Sequence, residues 1–504
     1  MDRTARPTGH LRRPAVVPSA DAGDAAARAE PAGLTDPAGL TDPVGLTDFA
    51  ELRTTEFGYL AEGGHVYLDH TGAGLPPRSL VRASAARITG GCFGNPHSEN
   101  PTSLASGALL AEARAAVLRY FRADPAEYAV VFTPNATGAL HLIGEAYPFS
   151  RRNRLVMSLD NHNSVNGLRE YARTKGARTT YVPLAGPDLR IDVGRLRAAL
   201  PASGHGLFAY PAQSNFTGVQ HPLEWIARIR ERGYDVLLDA AAFVPTNPLD
   251  LSRVHPDFTV VSWYKVFGHP TGVGSLIARR EALARLHRPW FSGGTVHAVS
   301  AGAQWHMLSD GEAAFEDGTV NFLALPDVTA GLAWIDSLGI DRVHRHVTAL
   351  TTRLLDGLRD LRHSDGSPLI RVYGPGPDRR GAPRGATVAL NVLDAAGRVV
   401  DERILAHDSA RRGISLRTGC FCNPGAGEAA LRLPARRLRA AARAGLASLE
   451  EYLALLGLPS AGAVRVSLGI ATQPRDIDAL LAFVAGTYRD RTPDTGGLAP
   501  REGC

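Results

Sequence analysis

Phe258-Thr-Val-Val-Ser262-Trp-Tyr-Lys265 is a short β-branched run that ends in a hydroxyl and delivers a lysine into an apolar, aromatic setting. It belongs to a series. Upstream lie Ala129-Val-Val-Phe132, Arg154-Leu-Val-Met-Ser-Leu159, Thr180-Tyr-Val182, Gly206-Leu-Phe-Ala-Tyr210 and Asp235-Val-Leu-Leu-Asp239, and downstream lies Gly274-Ser-Leu-Ile-Ala278. Runs this short and this apolar suit strands buried on both faces. Between the earlier ones, Ser164 to Arg173 and Pro222 to Arg232 are long enough for crossover helices. The alternation predicts an α/β fold built on a mostly parallel sheet covered on both sides.

Such a sheet receives its ligand beyond the carboxyl ends of its strands, so the residues after each run carry the chemistry. After Phe132 comes Thr133-Pro-Asn-Ala136-Thr137-Gly138, a small-residue turn leading into an apolar helix. Free N–H groups and hydroxyls there suit a phosphate, and plain N-capping by Thr137 explains the same residues. Asp160-Asn-His162-Asn-Ser164 offers an imidazole that could stack on a flat ring or simply be a polar loop residue. Asp239 ends its run as an acid that needs a cation or hydrogen-bond donors to stay ionised, and a pyridinium nitrogen would serve. Lys265 is either half of an ion pair or an amine whose pKa burial lowers, ready to form an imine. Lys175 and Lys265 are the only lysines in 504 residues, while Lys and Arg together number 55. Where a plain positive charge suffices this chain uses arginine, so a retained lysine points to a need for its amine, which arginine cannot replace.

Composition narrows the setting. The chain is 44% apolar and 21% charged, carries no run of eighteen apolar residues and has no apolar core near its start. These features predict a soluble protein without membrane span or export signal. Four cysteines (Cys92, Cys420, Cys422, Cys504) cannot frame so long a chain with disulfides, which points to the cytoplasm. The net charge of +5 is spread among acids, and its densest run, Arg432 to Arg443, reads as the solvated side of a helix, so no nucleic-acid partner is expected. The nucleotide-binding patterns G-x-G-x-x-G after a strand and G-x-x-x-x-G-K-[ST] are absent, as are H-E-x-x-H and C-x-x-C. Cys420-Phe-Cys422 could be half of a metal site or simply buried, but no second Cys/His pair accompanies it, and no metal is expected.

A phosphate cradle, an imidazole, a carboxylate and a lysine, in chain order after successive strands, describe a pyridoxal 5′-phosphate (PLP) site. The chain resembles the class V aminotransferase-like, fold-type I PLP enzymes. Within them it looks most like the aminotransferase-like domain of molybdenum-cofactor sulfurases, through Val66-Tyr-Leu-Asp69-His70-Thr-Gly-Ala73-Gly, Gly94-Asn-Pro-His97-Ser98, Asp160-Asn-His162-Asn-Ser164, Ser214-Asn215-Phe-Thr-Gly218, Phe315-Glu-Asp-Gly-Thr319 and Arg417-Thr-Gly-Cys420-Phe-Cys422-Asn-Pro-Gly425. The match runs from about Asp48 to Val484. It implies a Schiff base on Lys265, Asp239 at the pyridinium nitrogen and His162 over the ring. Ala136, Thr137, Ser262 and Tyr264 would hold the phosphate, and Asn215 would lie near the ring hydroxyl. Thr295 resembles a phosphate ligand that crosses from a second subunit, which implies a homodimer. Arg465 matches the arginine that grips the substrate carboxylate by a two-point fork. Ala242 departs from the pattern of many cysteine desulfurases, which carry Gln there.

The activity implied is a PLP-dependent cysteine desulfurase: L-cysteine gives alanine, and its sulfur stays on the enzyme as a persulfide. In related enzymes with an Arg-Thr-Gly segment the nucleophile lies three residues after the glycine, which is Cys422. Asn423-Pro-Gly425 suggests a turn, with Cys422 at a mobile apex, Arg417 as its source of positive charge, and Cys420 placed to resolve the persulfide if the segment is extended. The same fold also hosts C–S lyases, aminotransferases and epimerases. A silent sulfur-transfer partner is a further alternative, which the joint retention of Lys265, Asp239, His162 and Arg465 opposes. A separate sulfurase domain, as in the eukaryotic proteins, is not expected after Val484, and the sulfur acceptor stays open.

The expected organisation is a low-complexity disordered tail over 1–47, with its repeat Gly33-Leu-Thr-Asp-Pro, Gly39-Leu-Thr-Asp-Pro, Gly45-Leu-Thr-Asp. An N-terminal segment of the PLP fold (48–100), a large domain (101–325), a smaller α+β domain with the cysteine-bearing loop (326–486) and a flexible end (487–504) follow.

Overall fold

The computed structural model describes residues 48–494 and 498, apart from 203, 377–382, 447, 459 and 461. The repeat tail (1–47), the end beyond 498 and Cys504 lie outside the described residues. A seven-stranded sheet forms the large layer. Its strands in chain order are β1 (Tyr128–Thr133), β2 (Arg154–Ser158), β3 (Arg178–Val182), β4 (Gly206–Pro211), β5 (Tyr234–Asp239), β6 (Phe258–Ser262) and β7 (Gly274–Arg279). The spatial order is β1-β7-β6-β5-β4-β2-β3. All neighbours run parallel except β7, which is antiparallel to both β1 and β6.

Alternate residues of one strand feed different cores, because successive side chains point to opposite faces. Phe208, Tyr210, Val236 and Leu238 join the larger core, while Leu207, Ala209 and Leu237 join the core beneath the helix Ala136–Ala146. Both faces are covered, which is why these strands read as continuous apolar runs. The expected crossover Ser164 to Arg173 divides into Asn163–Asn166 and Leu168–Thr174 at Gly167, and Pro222 to Arg232 contracts to Trp225–Arg230.

The smaller layer is an antiparallel sheet of β8 (Ile370–Tyr373), β9 (Thr387–Val392), β10 (Arg417–Gly419) and β11 (Ala463–Ser467), in the order β8-β9-β11-β10. Helices Pro326–Leu338 and Ile340–Asp360 precede it and Pro474–Tyr488 follows it. The N-terminal segment closes onto this layer. Asp69 forms a bridge with Ser467, and the buried pair Arg53–Asp476 (3.0 Å) ties helix Phe49–Phe57 to the start of Pro474–Tyr488. Among the described residues no helix is long and apolar enough to cross a membrane.

Candidate active site

Parallel strands place their carboxyl ends on one edge, and four of the residues singled out above sit there. Lys265 lies on the short helix Trp263–Phe267 directly after β6, which Gly268 ends in a left-handed turn (φ 74°). The Trp263 indole N–H anchors this helix on Ser275 Oγ (2.8 Å). Burial pushes the Lys265 amine below its ordinary pKa; Asp239 opposes that shift, and Arg465 and Arg417 reinforce it. Asp239, 8% exposed at the end of β5, accepts the Ala241 N–H (3.0 Å) and makes no ion pair within reach among the described residues. Burial likewise lowers the His162 pKa, with Asp239 opposing and Lys265 and Arg465 adding to the shift. Lys265, Asp239, His162 and Arg465 lie close enough to bias one another's charge.

The phosphate turn differs in detail from expectation. Asn135, not Thr137, is the N-cap of Ala136–Ala146: its Oδ1 accepts the Gly138 N–H (2.9 Å), because its short amide reaches the third helical N–H. The Ala136 N–H donates to Ser262 Oγ (2.9 Å), so the helix start and the end of β6 meet. Gly274 permits that approach, since a Cβ there would lie 2.6 Å from the Asn135 backbone. Thr137 Oγ1 and Ser164 Oγ share a 2.8 Å bond. The Ser164 N–H donates to His162 Nδ1 (3.1 Å), so the neutral ring carries its proton on Nε2. The Tyr264 phenol, raised by burial, has Arg417 and a bond with Ser262 acting in the opposite direction.

Opposite this edge the small sheet supplies two arginines in register, Arg417 on β10 and Arg465 on β11. One carboxylate joins them. Asp69 Oδ1 takes Arg465 Nη2 (2.6 Å) and its Oδ2 takes Arg417 Nη1 (3.4 Å). Arg465 is 3% exposed, donates also to Asn215 O (3.2 Å), and its Nε has no partner among the described residues. Asp69 lay inside a family-like segment but drew no role from sequence, because its partners stand 396 and 348 residues away.

The cysteine loop is fixed rather than a free apex. Asn423-Pro424 starts the helix Pro424–Ala430, with Asn423 Oδ1 accepting the Ala426 N–H (3.1 Å): Asn-Pro here is an N-cap followed by a first-turn proline, not a turn. The Asn423 amide donates to Asp160 O (2.7 Å) and Asn215 Oδ1 (2.9 Å). The Asn215 amide donates to Phe421 O (2.8 Å), and the Asn163 N–H donates to Cys422 O (2.6 Å). Cys422 is thus tethered one residue from His162, with an exposed free thiol, whereas Cys420 is buried. Behind them His221 and Asp160 form a buried pair (2.8 Å), which sequence reading also passed over. Thr295 stands apart: within the chain its hydroxyl donates to Ser292 O (2.8 Å) and accepts the Ser292 N–H (2.9 Å).

The donor set fits PLP. A buried acid without a cation suits a protonated ring nitrogen, a depressed amine suits imine chemistry, and helix N–H groups with hydroxyls suit a phosphate. Ala242 and Gln213 line a cavity together with Lys265.

Comparisons with known proteins identify the family and the fold. Molybdenum cofactor sulfurase from Solanum lycopersicum is 35% identical over 90% of this chain and 58% of its own length. The Homo sapiens protein of that name is 34% identical over 87% of this chain and 51% of its own. The chain thus spans between half and three fifths of the curated relatives it matches. Among solved structures, a cysteine desulfurase from Thermococcus onnurineus superposes with a TM-score of 0.71 over 87% of this chain and 98% of its own, at 22% identity. The cystine C–S lyase C-DES, bound to cysteine persulfide, gives 0.65 at 19% identity, covering 86% and 100%. The aminotransferase class-V family model matches residues 66–480, and the chain belongs to that family.

Proposed function

We propose that this protein is a PLP-dependent cysteine desulfurase that moves the sulfur of L-cysteine onto Cys422 and releases alanine. The observation that carries the reading is the tether between Asn163 N–H and Cys422 O, which holds an exposed free thiol one residue from His162. When bound, PLP supplies an electron sink at the carbon that loses its proton. Lys265 would anchor it through its amine, Asp239 would pair with its ring nitrogen, His162 would stack on the ring, and Ala136, Thr137, Ser262 and Tyr264 would hold its phosphate.

Arg465 binds the substrate carboxylate, with Arg417 adding positive charge beside it. Lys265, held below its ordinary pKa, takes the α-proton from the substrate and returns a proton to carbon. The Cys422 thiolate attacks the substrate sulfur, the carbon–sulfur bond breaks, and its electron pair stays with carbon. The balance is L-cysteine plus Cys422 thiol giving L-alanine plus Cys422 persulfide, with no external redox partner.

Two copies would pair through the hairpin Val296–Ser300 and Trp305–Leu308, which exposes Trp305 (53%) and Met307 on one face and Val299 on the other. Thr295 adjoins that hairpin. A reducing cytoplasm suits the free Cys422 thiol. The test uses purified protein, PLP and L-cysteine, with alanine and protein-bound persulfide measured together. Cys422→Ser should lose both, while Cys420→Ser should keep the first round. Release of pyruvate without alanine would establish a lyase instead.

A further inference from the structure

Phe421 and Cys422 are adjacent non-glycine residues with left-handed backbones, φ 54° and 53°. L residues adopt that conformation only where the surroundings over-determine it, and such strain gathers at functional sites. Here the surroundings are explicit. Asn215 Nδ2 holds Phe421 O at 2.8 Å, Asn163 N–H holds Cys422 O at 2.6 Å, and the Asn423 N–H returns to Cys420 O at 2.9 Å. Between these tethers the Phe421 ring packs on Phe216 (centroids 5.0 Å apart), and the Arg465 guanidinium lies 5.0 Å from the Phe421 ring centre. Arg465 itself is locked by Asp69 and Asn215 O. The turn that carries the thiol and the arginine that awaits a carboxylate therefore share one side chain.

We propose that Phe421 is a positioning residue that fixes the Cys422 thiol by docking the turn onto Arg465, a role that rests on the desulfurase reading. A ring between a cation and a second ring is held in place and orientation, which a branched aliphatic side chain does not reproduce. Without the ring the two left-handed residues lose the contact that opposes their relaxation, and the thiol leaves its place. Arg465 keeps Asp69 and Asn215, so carboxylate binding persists. The predicted signature is a loss of turnover with retained substrate affinity.

The test compares wild-type holoenzyme with Phe421→Leu and Phe421→Tyr, measuring alanine release and, without cysteine, the rate at which iodoacetamide alkylates Cys422 in the mapped peptide. Phe421→Leu should lower kcat about 30-fold with KM within about twofold, as misplacement by roughly an ångström does. Its Cys422 alkylation should change at least about threefold, and Phe421→Tyr, which keeps the ring face, should return both readouts to within about twofold of wild type. Unchanged alkylation in Phe421→Leu, or equal impairment in Phe421→Tyr, overturns the proposal. If Phe421→Leu does not fold, Arg465→Lys, which removes the planar face but keeps the charge, decides it: altered Cys422 alkylation supports the coupling and wild-type alkylation refutes it. Alkylation does not depend on turnover, so a wild-type protein that releases no alanine sinks the desulfurase reading and leaves the coupling to be judged by labelling.

Discussion

The two walls of the pocket are built by different means. On the large-sheet wall, Lys265, Asp239, Ser262 and His162 each lie within a few residues of the carboxyl end of β2, β5 or β6. On the small-sheet wall nothing is local: Arg465 meets Asp69 across 396 residues, and Asn215 meets Phe421 across 206. The first wall sets chemistry by burial, and the second sets position by pairing. A substitution on the first should therefore abolish reaction while sparing the fold, and one on the second should shift affinity, stability or the placement of the Cys422 thiol.

The largest effect belongs to the first wall. Lys265→Ala should lower alanine release by about 10⁴-fold or more, since a proton-transfer group is lost together with the cofactor's attachment point. Its urea midpoint should stay close to wild type, and a large drop would blur the contrast. On the second wall, His70 sits beside Asp69, buried with Nε2 unpartnered, and its pKa is lowered to about 3 by burial first and Arg53 second. A histidine with a folded pKa below its unfolded value of about 6.5 costs stability as pH falls through that value towards the folded pKa. Stability should decline by roughly 4 kcal/mol from this group between neutrality and pH about 3, and His70→Phe should flatten that leg in pH-dependent denaturation.

Asp69→Ala should come next. It leaves the buried Arg465 guanidinium without its carboxylate, at a cost of about 3 kcal/mol in denaturant titration. KM for cysteine should rise about tenfold with kcat changed less than about threefold, the split expected when binding geometry alone is lost. The smallest effect concerns the other lysine. Lys175 Nζ donates to Glu145 O (2.9 Å) and Tyr147 O (3.0 Å), closing the carboxyl end of the phosphate helix. Lys175→Ala should cost about 0.5 to 1 kcal/mol of stability and leave kcat within about twofold, separating a capping lysine from a chemical one.

The same contrast explains what could be read from sequence. The strands were legible because continuous β-branched runs fit little else, and β6 was bounded correctly at Phe258–Ser262. Helix Pro101–Tyr120 went unread because its Ala, Gly and Ser positions carry little amphipathic signal, although Asn100 caps it and Pro101 opens it. The break at Gly167 and the exposed hairpin after Thr295 likewise lacked a periodic signature. Asn423-Pro424 was read as a turn because its cap and turn signals coincide; only the observed bond from Ala426 N–H separates them. Asp69 and the His221–Asp160 pair depend on three-dimensional neighbours that no local pattern encodes.

In the proposed reaction the tethered Cys422 thiol takes sulfur from cysteine held against the lysine wall. One turnover of the PLP-loaded protein with L-cysteine, followed by peptide mass spectrometry and alanine quantification, tests it directly. One extra sulfur should appear on the Cys422 peptide, matched mole for mole by alanine. Sulfur on Cys420 in the Cys422→Ser protein at the wild-type rate, or alanine with no protein-bound sulfur, would contradict it.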